Sequence, residues 1–362
     1  MDKRPIAVLG AGNVGLAMSA FLAQRGYPVH LYNAFSGEIE ALRVSGQVHA
    51  EGFVDGVFRL AKVTTDMGDA LAGAQLAIVT VPIFAHRVLI EAALPHLDQL
   101  EYLVLHPGLV GSALAMDTLI QTRRPGARVV VGEATSSLFS CRKLRPGSVH
   151  VRTVKHRVRV AALPATDTPG LLNMLDDPFE SRFDAAESVL ETSMNNINPV
   201  YHSPVMVANY GRVEAGEKWY FADVVTPGIA RLIEAADHER VALARALGVS
   251  TARSFPELME EFYGVAPSDL MTQLRAAYLT GGGSPLPIDP MHRFLSEDIP
   301  YGMVPYVALG ELTGVNTPVI RATVEYSCAL HGRNWWAEGT DLKSLGLTDL
   351  ASLQRRVMGG RF

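Results

Sequence analysis

At 362 residues the chain exceeds what one ordinary core organises, and two domains are predicted, each long enough to bury a sizeable interior. Hydrophobic residues make up 48% and charged ones 19%, a globular balance, and no apolar stretch approaches the roughly 20 residues that span a bilayer, which argues against a membrane role. Acidic side chains (37) slightly outnumber basic ones (32), so no overall positive field favours nucleic acid.

The first element is the apolar run Ile6–Leu9, suited to a buried parallel strand. It is followed by G-A-G-N-V-G and then by a helix with Met18, Phe21 and Leu22 on one face. In that order the glycines have separate tasks. Gly10 permits the tight turn, Gly12 lets backbone approach a pyrophosphate, and Gly15 lets helix and strand pack closely. Asn13 and Val14 open the helix, whose first N–H groups suit phosphate. Strand, glycine turn, helix and a second strand at Pro28–Asn33 predict a dinucleotide site comprising Gly10, Gly12, Asn13, Val14 and Gly15. The second strand ends on Asn33, where an acidic side chain would bind a ribose 2′-hydroxyl and repel a 2′-phosphate. Its absence, with Ser36 and Gly37 nearby, predicts NADP over NAD, although no arginine follows immediately and Arg43 is the first candidate downstream; the alternative is that Asn33 binds a plain ribose.

Residues 46–64 alternate and read as an inserted β-hairpin. The runs Leu76–Pro82, Tyr102–Gly108 and Arg128–Gly132 read as further parallel strands. Thr80-Val81-Pro82 and His106-Pro107-Gly108 fall at strand carboxyl ends, where ligands of open α/β sheets bind. Val81 and Pro82 therefore join the expected cofactor contacts. The basic cluster Cys141–Arg145 reads as a solvated loop, and the alternating strands after Gly147 are expected to extend the sheet, giving a first domain over residues 1–182.

Residues 183–362 change texture and predict an all-α domain. Its helices are expected at Ala235–Val249, around "FPELMEEFYG", and in "MVPYVALGELTGV" and "PVIRATVEYSCAL", with a glycine-rich loop at Thr280–Asp289. A nucleotide domain followed by a helical one fits a dehydrogenase whose second part supplies the proton donor, and histidine suits that task. His202 stands out among eleven histidines because Pro199 and Pro204 flank it, the rival reading being a histidine satisfied within a helix. Tyr201, Trp219, Trp335 and Trp336 read as core or interface. Cys141 and Cys328 are the only cysteines and lack metal-ligand spacing. With no signal peptide ahead of the first strand, they predict a reduced cytoplasmic protein without a metal site.

"GEATSSLFSCR" (Gly132–Arg142), "INPVYHSP" (Ile197–Pro204), "HRFLSEDIPYGMVPYVALGELTGV" (His292–Val315) and "DHERVALARALG", together with the glycine-rich start, resemble the octopine/nopaline (opine) dehydrogenase family over nearly the whole chain. The resemblance implies a Rossmann-like doubly wound parallel sheet followed by an all-α helical domain. It also implies NAD(P)H-dependent condensation of a 2-oxo acid such as pyruvate with the amino group of an amino acid. By position, His202 is then the catalytic acid/base, Asp298 its partner, and Arg293 the receptor for a substrate carboxylate. Glu133 and the Thr135-Ser136-Ser137 cluster are candidates for contact with the amino acid.

Elementary chemistry agrees. A carboxylate bound to an imidazole N–H fixes its tautomer, and a guanidinium offers a carboxylate two parallel donors. Within a continuous helix Arg293 and Asp298 would point about 140° apart, and an i,i+4 ion pair with Glu297 is the plainer reading of Arg293. Two other functions stay open at this point, a 2-oxo or 2-hydroxy acid reductase of the ketopantoate-reductase or glycerol-3-phosphate-dehydrogenase type and a catalytically inert NAD(P) sensor. The apolar C-terminal helices would permit a homodimer.

Overall fold

The computed structural model describes residues 3–280, 286–345 and 347–359, so Gly281–Pro285 of the glycine-rich loop lie outside the described residues. The chain divides into two compact units, 1–108 with 113–189, and 109–112 with 190–362. The boundary at 189/190 falls seven residues beyond the expected 182/183 junction, and residues 183–185 still pair in the sheet of the first unit.

Among the described residues of the first unit, twelve strands form two sheets. Their ranges are β1 Ile6–Leu9, β2 Val29–Tyr32, β3 Gln47–Gly52, β4 Gly56–Arg59, β5 Lys62–Thr64, β6 Leu76–Val79, β7 Tyr102–Leu105, β8 Val130–Ala134, β9 Phe139–Arg145, β10 Ser148–Val154, β11 Val158–Leu163 and β12 Phe183–Ala185. The main sheet runs β12-β11-β8-β7-β6-β1-β2-β5, parallel except where β11 meets β8. The strand order reverses between β1 and β6, and ligands of such sheets sit outside the carboxyl ends at that point. The second sheet, β4-β3-β10-β9, corrects two expectations. Residues 46–64 supply β3 and β4 to it and β5 to the main sheet, while β10 joins β3 and, of the two strands after Gly147, β11 alone extends the main sheet. Cys141–Arg145 is the end of strand β9, not a solvated loop.

The helix α1, Asn13–Gln24, explains why a second sheet is needed. Residues 15–22 are all buried, more than the single apolar face read from the sequence. A helix buried all round needs cover on both sides. The main sheet supplies one side, and β3, β4, β9 and β10 the other. Phe21 meets Phe139 of β9 edge-on at 5.6 Å, and Val149, Val151 and Val154 of β10 belong to the same core.

The described part of the second unit is helical. Its principal helices are Asn198–Ala208, Pro227–Ala246, Phe255–Tyr263, Leu270–Thr280, Val304–Thr313, Pro318–His331 and Leu350–Met358. Trp219, Tyr306 and Trp335 are fully buried, whereas Trp336 is half-buried. At the centre Arg240 is 0% exposed and bonds to Asp237 and to the carbonyl of Arg253 at 2.6 Å, and also to the carbonyl of Met194. Asp237 in turn accepts the N–H of Phe255 at 2.7 Å. This network ties the long helix to the segments on either side and satisfies a buried charge, which would otherwise be costly.

Candidate active site

In the first unit the glycine turn has the geometry its spacing predicts. Gly10 has φ +127°, and a Cβ there would lie 2.7 Å from Val81 Cγ1. A Cβ on Gly15 would lie 1.7 Å from the carbonyl oxygen of Gly10, so no larger residue fits. At Gly12 a Cβ would meet nothing within 4 Å. Gly12 and Asn13 are exposed, and no side chain caps α1. The first-turn N–H groups of a long helix thus face an open cradle beside the strand-order reversal, and these residues fit a dinucleotide diphosphate. Thr80 closes the turn from β6, its Oγ1 donating to the carbonyl of Gly10 at 3.0 Å. Val81 and Pro82 follow, half-buried, and the Val81 carbonyl is 3.2 Å from His86 Nε2. Val14 is half-buried at the start of α1.

Asn33 lies at the end of β2, where its amide is already engaged. Oδ1 accepts the N–H of Ala11 at 3.2 Å, and Nδ2 donates to the carbonyl of Phe35 at 3.1 Å. It braces the glycine turn against the second strand. Asn13 likewise braces the turn from outside, accepting the N–H of Lys143 at 2.8 Å.

At the strand ends two residues are engaged within the protein. Glu133 is 1% exposed and its Oε2 accepts the N–H of Ala113 at 3.1 Å, in the first turn of the helix α2, Ser112–Arg123. A carboxylate at a helix N-terminus is favourable, so Glu133 has a structural use beside the substrate contact expected of it. His106 is also buried rather than lining a loop. Its Nε2 accepts the N–H of Leu138 at 2.9 Å, and burial, with Lys155 nearby, pushes its pKa down to about 3. The neighbouring serines were candidates, and the structure adds Lys155 to them. This lysine is buried, donates to Ser136 Oγ, and is pushed by burial down to about 7. Ser137 Oγ turns back to the backbone of Phe139.

In the second unit the helix Asn198–Ala208 starts on Pro199, a residue suited to a first turn, and carries Pro204 inside it. His202 lies between them with 14% of its side chain exposed. Its Nδ1 donates to Oδ2 of Asp298 at 2.8 Å. An ionised carboxylate only accepts, so the Nδ1 proton is fixed and Nε2 is left for exchange. The imidazole is stacked on Phe294 at 3.6 Å, and Ser203 Oγ donates to the Phe294 carbonyl at 3.1 Å. Neither Phe294 nor His292 was singled out in the sequence. His292 caps the same turn through Nδ1, and burial, with His202 nearby, pushes its pKa down to about 4. Phe294 was visible only as an apolar residue inside R-F-L-S-E-D.

The segment carrying Arg293 and Asp298 is not one α-helix. A single turn, Arg293–Ser296, passes through Glu297 into a π-helical turn, Ile299–Met303, so the 140° relation does not apply. Arg293 makes the i,i+4 pair with Glu297, Nε to Oε2 at 3.1 Å. Glu297 is 3% exposed in its side chain and Arg293 40%, so a buried carboxylate orients a guanidinium that still meets solvent.

A sheet built for a dinucleotide, in a chain whose helical unit holds a carboxylate-oriented histidine and a half-buried arginine, fits an NAD(P)-dependent dehydrogenase. Comparison with known proteins places it more narrowly. The model of NAD/NADP octopine/nopaline dehydrogenase, alpha-helical domain, matches residues 185–331, and that of ketopantoate reductase PanE/ApbA matches residues 6–165. An opine dehydrogenase of Arthrobacter sp. (strain 1C) is 31% identical over 97% of this chain and 98% of its own length. The protein ocs of Agrobacterium vitis is 27% identical over 94% of this chain and 95% of its own. The structure of an octopine dehydrogenase in complex with NADH and agmatine has the same fold, with a TM-score of 0.79 at 20% identity over 99% of this chain and 98% of that one. The chain belongs to the opine dehydrogenase family, NAD(P)-dependent oxidoreductases that act on CH–NH groups. Glycerol-3-phosphate dehydrogenase of Pseudomonas fluorescens (strain Pf0-1), by contrast, is similar over only 36% of this chain.

Proposed function

We propose that the chain condenses the amino group of an amino acid with a small 2-oxo acid and reduces the product, with His202 managing the protons. The observation that carries this reading is the 2.8 Å bond from His202 to a buried Asp298 in the helical unit of an opine dehydrogenase family chain. A reduced nicotinamide dinucleotide, when bound, supplies the hydride to the imine carbon. His202 Nε2 accepts a proton from the substrate ammonium, freeing the amine to attack the 2-oxo carbon, and returns it to the hydroxyl that leaves as water. Asp298 holds the ring in the required tautomer and favours the imidazolium that forms. Arg293, steadied by Glu297, receives a substrate carboxylate.

For the cofactor, Gly10, Gly12, Asn13, Val14 and Gly15 form the diphosphate cradle, and Asn33, Val81 and Pro82 border it. No acidic side chain stands at Asn33 to repel a 2′-phosphate. Ser36 and Gly37 begin an uncapped helix, Ser36–Ser45, while Arg43 is turned to Glu40 at 3.2 Å. We therefore assign NADPH as the preferred donor. A cytoplasmic homodimer joined through the C-terminal helices completes the proposal.

The test is an oxidation assay with pyruvate and a panel of amino acids, run with NADPH and with NADH. Turnover that requires both the 2-oxo acid and an amine supports the reading. Reduction of pyruvate without an amine, or binding without turnover on the whole panel, overturns it.

A further inference from the structure

Arg293, Phe294 and Asp298 sit on one short segment, and the entry to that segment is tied to a histidine that takes no part in the proton transfers above. The carbonyl of Pro290 lies 3.0 Å from Nε2 of His331. His331 closes the helix Pro318–His331, just before Gly332 with its left-handed φ of 60°. Its Nδ1 lies 2.8 Å from the carbonyl of Ser327, one turn back. Both ring nitrogens thus face carbonyl oxygens at hydrogen-bond distance, and a carbonyl only accepts. A neutral imidazole has one N–H, so one of the two contacts would set lone pair against lone pair. The imidazolium has two and satisfies both.

The surroundings suit that form. His331 stands in the last turn of its helix, where the dipole favours positive charge. Tyr210 at 5.0 Å and Trp335 at 5.4 Å pack their rings against it, and neither brings a charge, since burial pushes the Tyr210 phenol up. Ser327 Oγ, at 3.4 Å, is farther from Nδ1 than the carbonyl is. The neighbouring charged groups have other partners, Arg333 pairing with Glu338 at 2.6 Å and Asp289 accepting the N–H of Met291 at 2.8 Å. The Tyr301 phenol beside the Arg333–Glu338 pair is also pushed up by burial. The helix is itself held at its start, where Glu239 accepts the N–H groups of Val319 and Ile320 at 2.8 and 2.9 Å.

We propose that protonated His331 is a positioning residue, bridging the Ser327 and Pro290 carbonyls and so fixing the chain just ahead of Arg293. Further along, His292 Nδ1 accepts the N–H of Phe294 and Ser203 Oγ donates to the Phe294 carbonyl, so the turn beyond has clasps of its own. The bridge therefore acts on the carboxylate receptor more than on Asp298. Rising pH removes the second ring proton and releases one carbonyl. The inference rests on the role of Arg293 proposed above.

Initial rates of wild type, His331→Asn and His331→Gln from pH 6 to pH 9 test it, beside ring-nitrogen NMR of isotopically labelled histidine, in which the His331 signals are those lost in either variant. The asparagine amide takes the place of Nδ1 and gives up Pro290. At the acid end His331→Asn is expected to raise the KM of the carboxylate substrates about fivefold, part of the worth of one charge-assisted hydrogen bond, with kcat nearly unchanged. The difference should shrink as pH rises and the wild-type ring loses its proton. His331→Gln, whose amide stands where Nε2 stood, should restore part of the affinity. At the pH of the largest difference the wild-type ring should carry a proton on each nitrogen. Equal KM for His331→Asn and wild type overturns the proposal, as does a difference that is constant across pH or a ring with one protonated nitrogen at that pH. A wild-type chain without turnover on any substrate pair overturns the reaction reading and the positioning role together.

Discussion

Asp298 is 1% exposed and lies 2.8 Å from Nδ1 of His202, 96 residues earlier in the chain. The carboxylate leaves the ring one nitrogen for proton exchange, and stacking on Phe294 at 3.6 Å fixes the ring plane. His202→Ala should lower kcat by roughly 10²–10⁴ while leaving the dissociation constant for NAD(P)H near the wild-type value. Asp298→Asn should keep the fold and lower kcat by a similar order, because the amide can donate to Nδ1 and favour the wrong tautomer. Steady-state rates beside cofactor titrations read both effects, and an unchanged kcat in either variant would remove the proposed roles.

Arg293 is held by Glu297 in a geometry that lysine cannot copy, because an ammonium lacks the planar fork. Arg293→Lys should raise the KM of the carboxylate substrates about tenfold, with a smaller change in kcat. Initial-rate analysis at varied 2-oxo acid and amino acid concentrations separates the two parameters.

The glycines of the turn should divide by the space around them. Gly15→Ala would set a methyl group against the Gly10 carbonyl, so the first unit should lose much of its stability and Tm should fall. Gly12→Ala meets no neighbour, so Tm should stay within a few degrees of wild type while dinucleotide affinity drops. Thermal melts and cofactor titrations of the two variants check the contrast.

Arg240→Met leaves Asp237 as a buried charge without its partner and should destabilise the second unit by about 3–5 kcal/mol. The denaturation midpoint in urea measures it.

Burial pushes His86 down to about 4 and His106 to about 3, below the ordinary value of 6.5. The unfolded chain therefore binds protons that the folded one refuses. Stability from these groups is complete above pH 6.5 and is lost as pH falls toward the folded values, at up to about 1.4 kcal/mol per pH unit for each histidine. Urea midpoints should drop between pH 7 and pH 5, and His86→Gln should make that drop shallower.

Much of the architecture was legible along the chain because its signals are local. A buried parallel strand is an apolar run, a tight turn needs glycine at fixed offsets, and a helix stops at a left-handed glycine such as Gly264 or Gly314. The second sheet was not legible. Alternation in Cys141–Arg145 and in 46–64 marks strands, but which strands pair depends on a helix, α1, that both sheets must cover. The same limit explains Glu133. The family resemblance offered it as a substrate contact, and only the approach of Ala113 revealed that it also accepts an N–H from the first turn of a helix.

By itself the sequence determined the dinucleotide turn and the change from strands to helices near residue 185, whereas Arg293 and Asp298 were offered beside His202 only through the family resemblance. The first two depend on residue type and short-range spacing. Only the tertiary structure decided that His202 and Asp298 meet, that Asn33 and Glu133 accept backbone N–H groups, and that the N–H of Lys143 meets Asn13. Those contacts join segments tens of residues apart, and their geometry is set by how helices and sheets pack.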